Sequence, residues 1–167
     1  YIAGTGYYVP PKIVTNDELS QYMNTTDEWI RERTGIRERR YVEKGVGPSD
    51  LAIPATEQAL EAAGLSVDDI DFIIFATSTP DYYIPGSGCL LQEKMGFNEI
   101  GCLDIRVQCS GFIYGMSIAE QYIKAGTFKN ILLVGAEVQS TAMNLSDEGR
   151  DTAIIFGDGA GAVIIQP

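Results

Sequence analysis

Asp104-Ile105-Arg106-Val107-Gln108-Cys109-Ser110-Gly111-Phe112 joins two different periodicities. The short, mostly apolar run from Cys102 to Val107 reads as a buried strand. It breaks off at Gln108-Cys109-Ser110-Gly111. Beyond that turn Phe112, Met116, Ala119 and Ile123 recur at i, i+4, i+7 and i+11, one face of an amphipathic helix that Gly126 ends. Cys109 is therefore expected where a central strand turns into a buried helix. Free N–H groups and the dipole at a helix start favour a thiolate. Ser110 and Gly111 are small enough to admit a substrate carbonyl beside the sulfur. Two readings stand: an activated nucleophile, or the buried core cysteine that most free cysteines are.

Working outward, the same alternation recurs. Phe72-Ile73-Ile74-Phe75-Ala76-Thr77 and Ile131 to Gly135 are continuous apolar runs, as in strands covered on both faces. Between such runs lie helical patterns. Ser49 can cap a helix with the apolar face Ala52, Ala55, Ala59, Leu60 and Ala63, stopped at Gly64 and tolerating Pro54 only near its first turn. Pro80 to Gly88 is a loop, followed by a helix from Cys89 to Met95. Near the start, Tyr1 to Gly6 reads as a strand already under way. Thr15-x-x-Glu18 and Thr25-x-x-Glu28 each open a short helix, through about Met23 and about Arg33. Ile36 to Val42 is extended, and Gln139 to Asp151 irregular. Ala153 to Ile165 reads as two apolar runs joined into a hairpin at Asp158-Gly159. Alternating helices and apolar strands imply an α/β fold with a mixed, largely parallel sheet between helical layers.

With 45 % hydrophobic and 21 % charged residues, 167 residues suffice for one domain with its own core. No apolar run reaches transmembrane length, Tyr1-Ile2-Ala3-Gly4 does not read as a signal peptide, and no membrane association is expected. Cys89, Cys102 and Cys109 form no closed disulfide framework and have no metal-ligand spacing, so a reducing, cytoplasmic setting and no metal are expected. A formal net charge of -11 argues against nucleic-acid partners. There is no histidine, so no imidazole of this chain can serve Cys109 as a base.

Arg31, Arg33, Arg37, Arg39 and Arg40 break the acidic trend directly after the only tryptophan, Trp29. They read as a core tryptophan beside a solvated charged face, or as an aromatic plate and guanidinium groups suited to adenine and its phosphates. Gly157-Asp158-Gly159-Ala160-Gly161-Ala162 lacks the lysine of a phosphate loop and the spacing of a dinucleotide fingerprint. Its glycines imply a turn, or something packed close to the backbone. Cys89 stands in a poorer context than Cys109, and Cys102 reads as structural.

Three stretches together carry a resemblance. Thr25-Thr26-Asp27-Glu28-Trp29-Ile30-Arg31-Glu32-Arg33-Thr34-Gly35-Ile36-Arg37-Glu38-Arg39, the turn Cys109-Ser110-Gly111-Phe112, and Ile155-Phe156-Gly157-Asp158-Gly159-Ala160-Gly161-Ala162 occur in the order seen in β-ketoacyl-acyl-carrier-protein synthase III. Over nearly its whole length the chain resembles the N-terminal half of that enzyme. The resemblance implies a thiolase-like fold: residues 1–167 form the N-terminal half of a five-layered αβαβα arrangement, and a C-terminal thiolase-like domain is absent. It also implies an acyl transfer from acyl-coenzyme A to a cysteine, followed by decarboxylative Claisen condensation with malonyl-acyl carrier protein, without a further cofactor.

By the same resemblance Cys109 falls on the nucleophile. Trp29 and Arg33 fall on the residues that sandwich the coenzyme A adenine, with Arg150 near a second arginine there and Phe156 among the substrate-binding residues. Ile84 falls on a position that projects into the acyl pocket of the partner subunit in a homodimer. The histidine and asparagine that drive decarboxylation belong to the absent half, so this chain reads as half of an enzyme. Competing readings are a thiolase-fold relative with other acyl chemistry, such as secondary-metabolite chain starting, and a non-catalytic dimerisation or coenzyme A-binding module.

Overall fold

The computed structural model describes residues 1–167, which form two compact units. The first comprises Tyr1–Tyr8, Gly47–Glu137 and Gly159–Pro167, and the second Val9–Val46 and Val138–Asp158.

The first unit is built on a five-stranded sheet. Its strands are β1 (Ile2–Tyr8), β4 (Phe72–Ala76), β5 (Gly101–Ile105), β6 (Ile131–Glu137) and β7 (Gly159–Ile165), in the spatial order β1-β7-β6-β4-β5. β4 pairs parallel with β5 and with β6, while β7 pairs antiparallel with β6 and with β1. The sheet is mixed, as expected, with as many antiparallel ladders as parallel ones. Ile73, Ile74, Phe75, Ile131, Leu132, Leu133 and Val134 are fully buried, as continuous apolar runs require of strands covered on both faces. Ile74, Leu133, Val163 and Ile165 share one cluster with Ala119 of α5 (Gly111–Lys124). There Phe72, Tyr122 and Phe128 make a three-ring contact, with centroids 4.6–5.3 Å apart.

α3 (Pro48–Ala63) lies against β1 through an alanine-on-glycine contact. A Cβ on Gly4 would stand 2.1 Å from the Ala59 carbonyl oxygen, and one on Gly6 2.1 Å from that of Ala55. Ala52, Ala55, Ala59 and Leu60 are buried, as their spacing predicts, and Gly64 ends the helix at φ 67°. The start differs from expectation. Gly47, not Ser49, is the N-cap: the Asp50 carboxylate accepts its N–H at 2.8 Å, and the Asp81 carboxylate fills the space a side chain there would need. Ser49 instead gives its N–H and its hydroxyl to that carboxylate at 3.1 and 2.8 Å. Pro54 sits at the seventh helical position, beyond the first turn, and has no N–H to give to the Asp50 carbonyl. α4 (Ser87–Met95) precedes β5.

The second unit pairs β2 (Lys12–Thr15) with β3 (Glu38–Tyr41) antiparallel and adds α1 (Asn16–Leu19), α2 (Asp27–Thr34) and α6 (Arg150–Ala153). Val14, Leu19, Met23, Ile30, Tyr41, Ala153 and Ile154 form its core, with Trp29, Met143 and Leu145 packed on the rim. Thr15 caps α1 as its capping box predicts, but the helix stops at Leu19, short of Met23. Thr26, one residue later than expected, caps α2, and Gly35 ends that helix at φ 74°.

The hairpin expected across Ala153 to Ile165 is not formed. Ala153 ends α6, only Gly159–Ile165 is a strand, and Asp158 is buried where a hairpin turn would expose it. Its carboxylate accepts the N–H groups of Val42, Gln139 and Ser140 at 2.8, 2.8 and 2.9 Å, and the Ser140 hydroxyl. Four donors on one buried carboxylate outweigh the turn preference of Asp-Gly. The expectation that the neighbouring glycines answer a close approach is met at Gly157, where a Cβ would lie 3.1 Å from that of Arg39.

The β1–α3 contact has a measurable consequence. Gly6→Ala should lower stability by about 3 kcal/mol or more, since backbone cannot yield to a 2.1 Å overlap. A urea unfolding midpoint equal to that of the parent protein would contradict this packing.

Candidate functional site

The residues singled out from the sequence divide between the two units. Cys109 and Ile84 lie in the first, and Trp29, Arg33, Arg150 and Phe156 in the second.

In the first unit the chain leaves β5, makes a 3₁₀ turn over Gln108–Ser110 and enters α5. Gln108 is the only non-glycine residue in the left-handed region, at φ 46°. Such a residue costs about 1–2 kcal/mol and typically marks a functional turn. Nothing in the sequence signalled it, because glutamine has no preference for that conformation. Ser110 N–H bonds to the Val107 carbonyl at 3.1 Å, closing the turn. The helix behind it comes close to the sheet through small residues: a Cβ on Gly111 would lie 3.0 Å from that of Ala76, and one on Gly115 2.5 Å from Leu133 Cδ1.

Two expectations about this turn are corrected. β5 is an edge strand, not a central one, with Cys102, Leu103 and Ile105 half-buried. The start of α5 is exposed, not buried: Phe112, Ile113 and Tyr114 face outward. On its outer side β5 has no strand from this chain to pair with.

The three cysteines are free, and only Cys109 is exposed. Cys102 is half-buried and gives its thiol hydrogen to Gln92 Oε1 at 3.6 Å. Burial, with Cys89 and Asp104 adding to it, pushes its pKa up to about 12. That is the structural cysteine the sequence suggested. No group of histidine, cysteine, aspartate or glutamate side chains has the arrangement of a metal site. Ile84, next to the cis Ile84–Pro85 bond, is 89 % exposed, with Tyr82 and Tyr83 beside it. The Arg106 guanidinium lies 5.5 Å from the Tyr83 ring centroid.

In the second unit Thr26 Oγ1 accepts the backbone N–H of Trp29 at 3.1 Å, capping the first turn of α2, which carries the indole. The Arg33 guanidinium lies 4.1 Å from the indole centroid and that of Arg150 4.8 Å away. The basic cluster is thus sorted by role. Arg39 is buried and structural, donating to the Val14 and Ile154 carbonyls and to Asn16 Oδ1. Arg31 pairs with Asp27, and Arg40 with Glu38. Hydrogen bonds from Asn16 and Arg31 hold the Asp27 carboxyl below the usual range. Arg33 and Arg150, far apart in sequence, meet on one tryptophan. Phe156 follows α6, is 36 % exposed and stands outside that stack.

The 3-oxoacyl-[acyl-carrier-protein (ACP)] synthase III family matches residues 103–167. A β-ketoacyl-[acyl-carrier-protein] synthase III of Xanthomonas campestris pv. campestris is 47 % identical over 165 residues, 99 % of this chain and 50 % of the relative. The crystal structure of 3-oxoacyl-[acyl-carrier-protein] synthase III from Aquifex aeolicus VF5 superposes with a TM-score of 0.94 at 43 % identity, covering 99 % of this chain and 53 % of its own. The priming β-ketosynthase of the R1128 polyketide biosynthetic pathway gives 0.94 at 32 % identity, covering 99 % and 49 %. The chain therefore spans about half the length of the relatives it matches. Over that length it has the sequence pattern and the thiolase-like α/β fold of the N-terminal half of synthase III.

The difference among the thiols predicts their order of reaction. At pH 8 a thiol with a pKa of about 12 is roughly one part in ten thousand thiolate. Iodoacetamide should alkylate Cys109 first and Cys102 last. Mass mapping of the folded protein that finds Cys89 or Cys102 labelled ahead of Cys109 would remove Cys109 as the candidate nucleophile.

Proposed function

We propose that this chain is the acyl-loading half of a β-ketoacyl-acyl-carrier-protein synthase III, an acyltransferase that starts fatty-acid chains. One observation carries the reading: the only exposed cysteine stands at a strand-to-helix turn within a chain alike along its whole length to that half of the enzyme.

In the proposed reaction the Cys109 thiolate attacks the carbonyl carbon of acyl-coenzyme A. A sulfur–carbon bond forms, the carbonyl oxygen takes the negative charge, and the tetrahedral adduct expels coenzyme A as its thiol once a proton is supplied. Backbone N–H groups at the start of a helix suit that oxyanion, and losing one such donor typically costs about 10²–10³ in rate. The second step would decarboxylate malonyl-acyl carrier protein and let its carbanion attack the thioester. Stabilising that enolate would fall to a histidine and an asparagine outside this chain, which has no histidine of its own. Acyl-coenzyme A is then substrate, and no resident cofactor is needed.

Trp29, Arg33 and Arg150 would hold the nucleotide end of coenzyme A. An indole flanked by two guanidinium groups offers a face for adenine and positive charge for phosphates. Phe156 is assigned to the substrate-binding residues by the resemblance alone.

The protein would act as a homodimer through the first unit. The unpaired edge of β5, and the exposure of Tyr82, Tyr83, Ile84, Phe112, Ile113 and Tyr114, support that reading. Ile84 would then reach the partner's acyl pocket. No helix is long and apolar enough to cross a membrane, and three free thiols favour a cytoplasmic setting. The likeness to a polyketide priming enzyme supports a second reading, chain starting in secondary metabolism.

Incubation of the complete protein with acetyl-, isobutyryl- and longer acyl-coenzyme A, followed by intact mass, tests the loading step. The acyl mass should appear on Cys109 and vanish in Cys109→Ala; an adduct that persists without Cys109 would overturn the assignment. Arg33→Ala should raise KM for acyl-coenzyme A about ten-fold with kcat little changed, and an unchanged KM would return Arg33 to a structural role.

A further inference from the structure

Asn24, in the segment between α1 and α2, is held from both sides, by the turn before α6 and by the first residue of α6. Its N–H donates to Asp147 Oδ1 at 2.5 Å, and its carbonyl accepts Arg150 Nη1 at 3.2 Å. The guanidinium so held is the one 4.8 Å from the Trp29 ring centroid. The only other side-chain partner of Arg150 is the adjacent and largely exposed Asp151, at 3.3 Å. The segment around Asp147 is itself tightly wound. Gly149 N–H bonds to Ser146 O at 3.1 Å, and a Cβ on Gly149 would lie 1.9 Å from Asn144 O. Asp147 therefore projects from a fixed turn.

A long arginine side chain loses much rotamer freedom when it is held in one place. What keeps Arg150 from swinging away is the Asn24 carbonyl, and what presents that carbonyl is the grip of Asp147 on the same residue's N–H. We propose that Asp147 is the positioning residue of the Trp29–Arg150 pair. Through Asn24 it locks the chain ahead of α2 to the turn ahead of α6, so that the guanidinium stands ready over the indole before a ligand arrives. This rests on the reading of that pair as the seat of a purine nucleotide, and it deepens that reading by naming the group that presets it. Asp147 touches neither the indole nor the ligand's place on it.

Trp29 is the only tryptophan of this chain, so the indole fluorescence of the 167-residue chain reports on this pair. Acrylamide quenching and coenzyme A titration would be measured for the parent protein, Asp147→Ala, Asp147→Asn, Arg150→Ala and the double variant Asp147→Ala/Arg150→Ala. Arg150→Ala should expose the indole to quencher, and Asp147→Ala should move quenching most of the way to that level. Asp147→Asn keeps an acceptor oxygen for the Asn24 N–H and should stay near the parent, which separates positioning from loss of charge. Coenzyme A affinity should fall about three- to ten-fold in Asp147→Ala, the usual weight of one such hydrogen bond. In the Arg150→Ala background the Asp147 change should add nothing further. Parent-like quenching in Asp147→Ala, or an undiminished effect in the Arg150→Ala background, would overturn the proposal. Absence of coenzyme A binding to the parent would overturn the nucleotide reading, while the quenching series would still decide the role of Asp147.

Discussion

β4, β5 and β6 all run in the same direction, and parallel neighbours cannot be joined by a tight turn. Each ladder needs a crossover, which α4 and α5 supply. The carboxyl ends of the three strands consequently gather at one edge of the sheet, where open α/β sheets bind their ligands. That edge is stitched together: the Glu137 carboxylate, at the end of β6, accepts the Ser78 N–H and hydroxyl and the Thr79 hydroxyl just beyond β4. The exit from β5 comes close to it at Gly111, where a Cβ would lie 3.0 Å from that of Ala76. Cys109 owes its place to this geometry. A parallel ladder with a long crossover puts a strand-to-helix turn there, and the left-handed Gln108 aims it.

The second unit manages charge in a different way. Its arginines are close in sequence but serve unlike ends, and their environments separate them. Arg39 is buried at some cost, which lowers its pKa, and is kept there by two carbonyls and an asparagine oxygen. Arg31 and Arg40 are matched at the surface, where such pairs contribute little. Arg33 and Arg150 have no carboxylate in their principal contact; each faces the indole instead. Positive charge is thus set over an aromatic face in a chain whose formal net charge is -11.

Much of this was legible from the residues alone. Apolar runs marked β4 and β6, and helical spacing with a terminal glycine marked α3 and α5. What escaped was set by contacts distant in sequence. The capping pattern at Ser49 is sound locally, but Asp81 takes the serine and leaves the cap to Gly47. Asp158-Gly159 has the composition of a hairpin turn, yet Val42, Gln139 and Ser140 together claim the carboxylate and bury it. The apolar run leading to Cys109 looked central because periodicity cannot tell an edge strand awaiting a neighbour from one already covered. At the tryptophan the sequence supplied Trp29 and Arg33, four residues apart on one helix. The arrival of Arg150 depends on how two distant segments meet, which only the family resemblance anticipated.

The register that pairs Ile2 with Ile165 bears on how such a chain is made. β1 leaves the ribosome well ahead of β7, its only strand partner, with all the other strands of the sheet made in between. At 5–20 residues per second that interval is roughly ten to thirty seconds. Throughout it the glycine face of β1 can rest on α3, but its hydrogen-bonding edge has nothing in this sheet to bond to. Closing so long a loop is slow compared with local helix formation. β1 is therefore the strand of this sheet secured last, and until β7 arrives the edge it will use stays open to other chains.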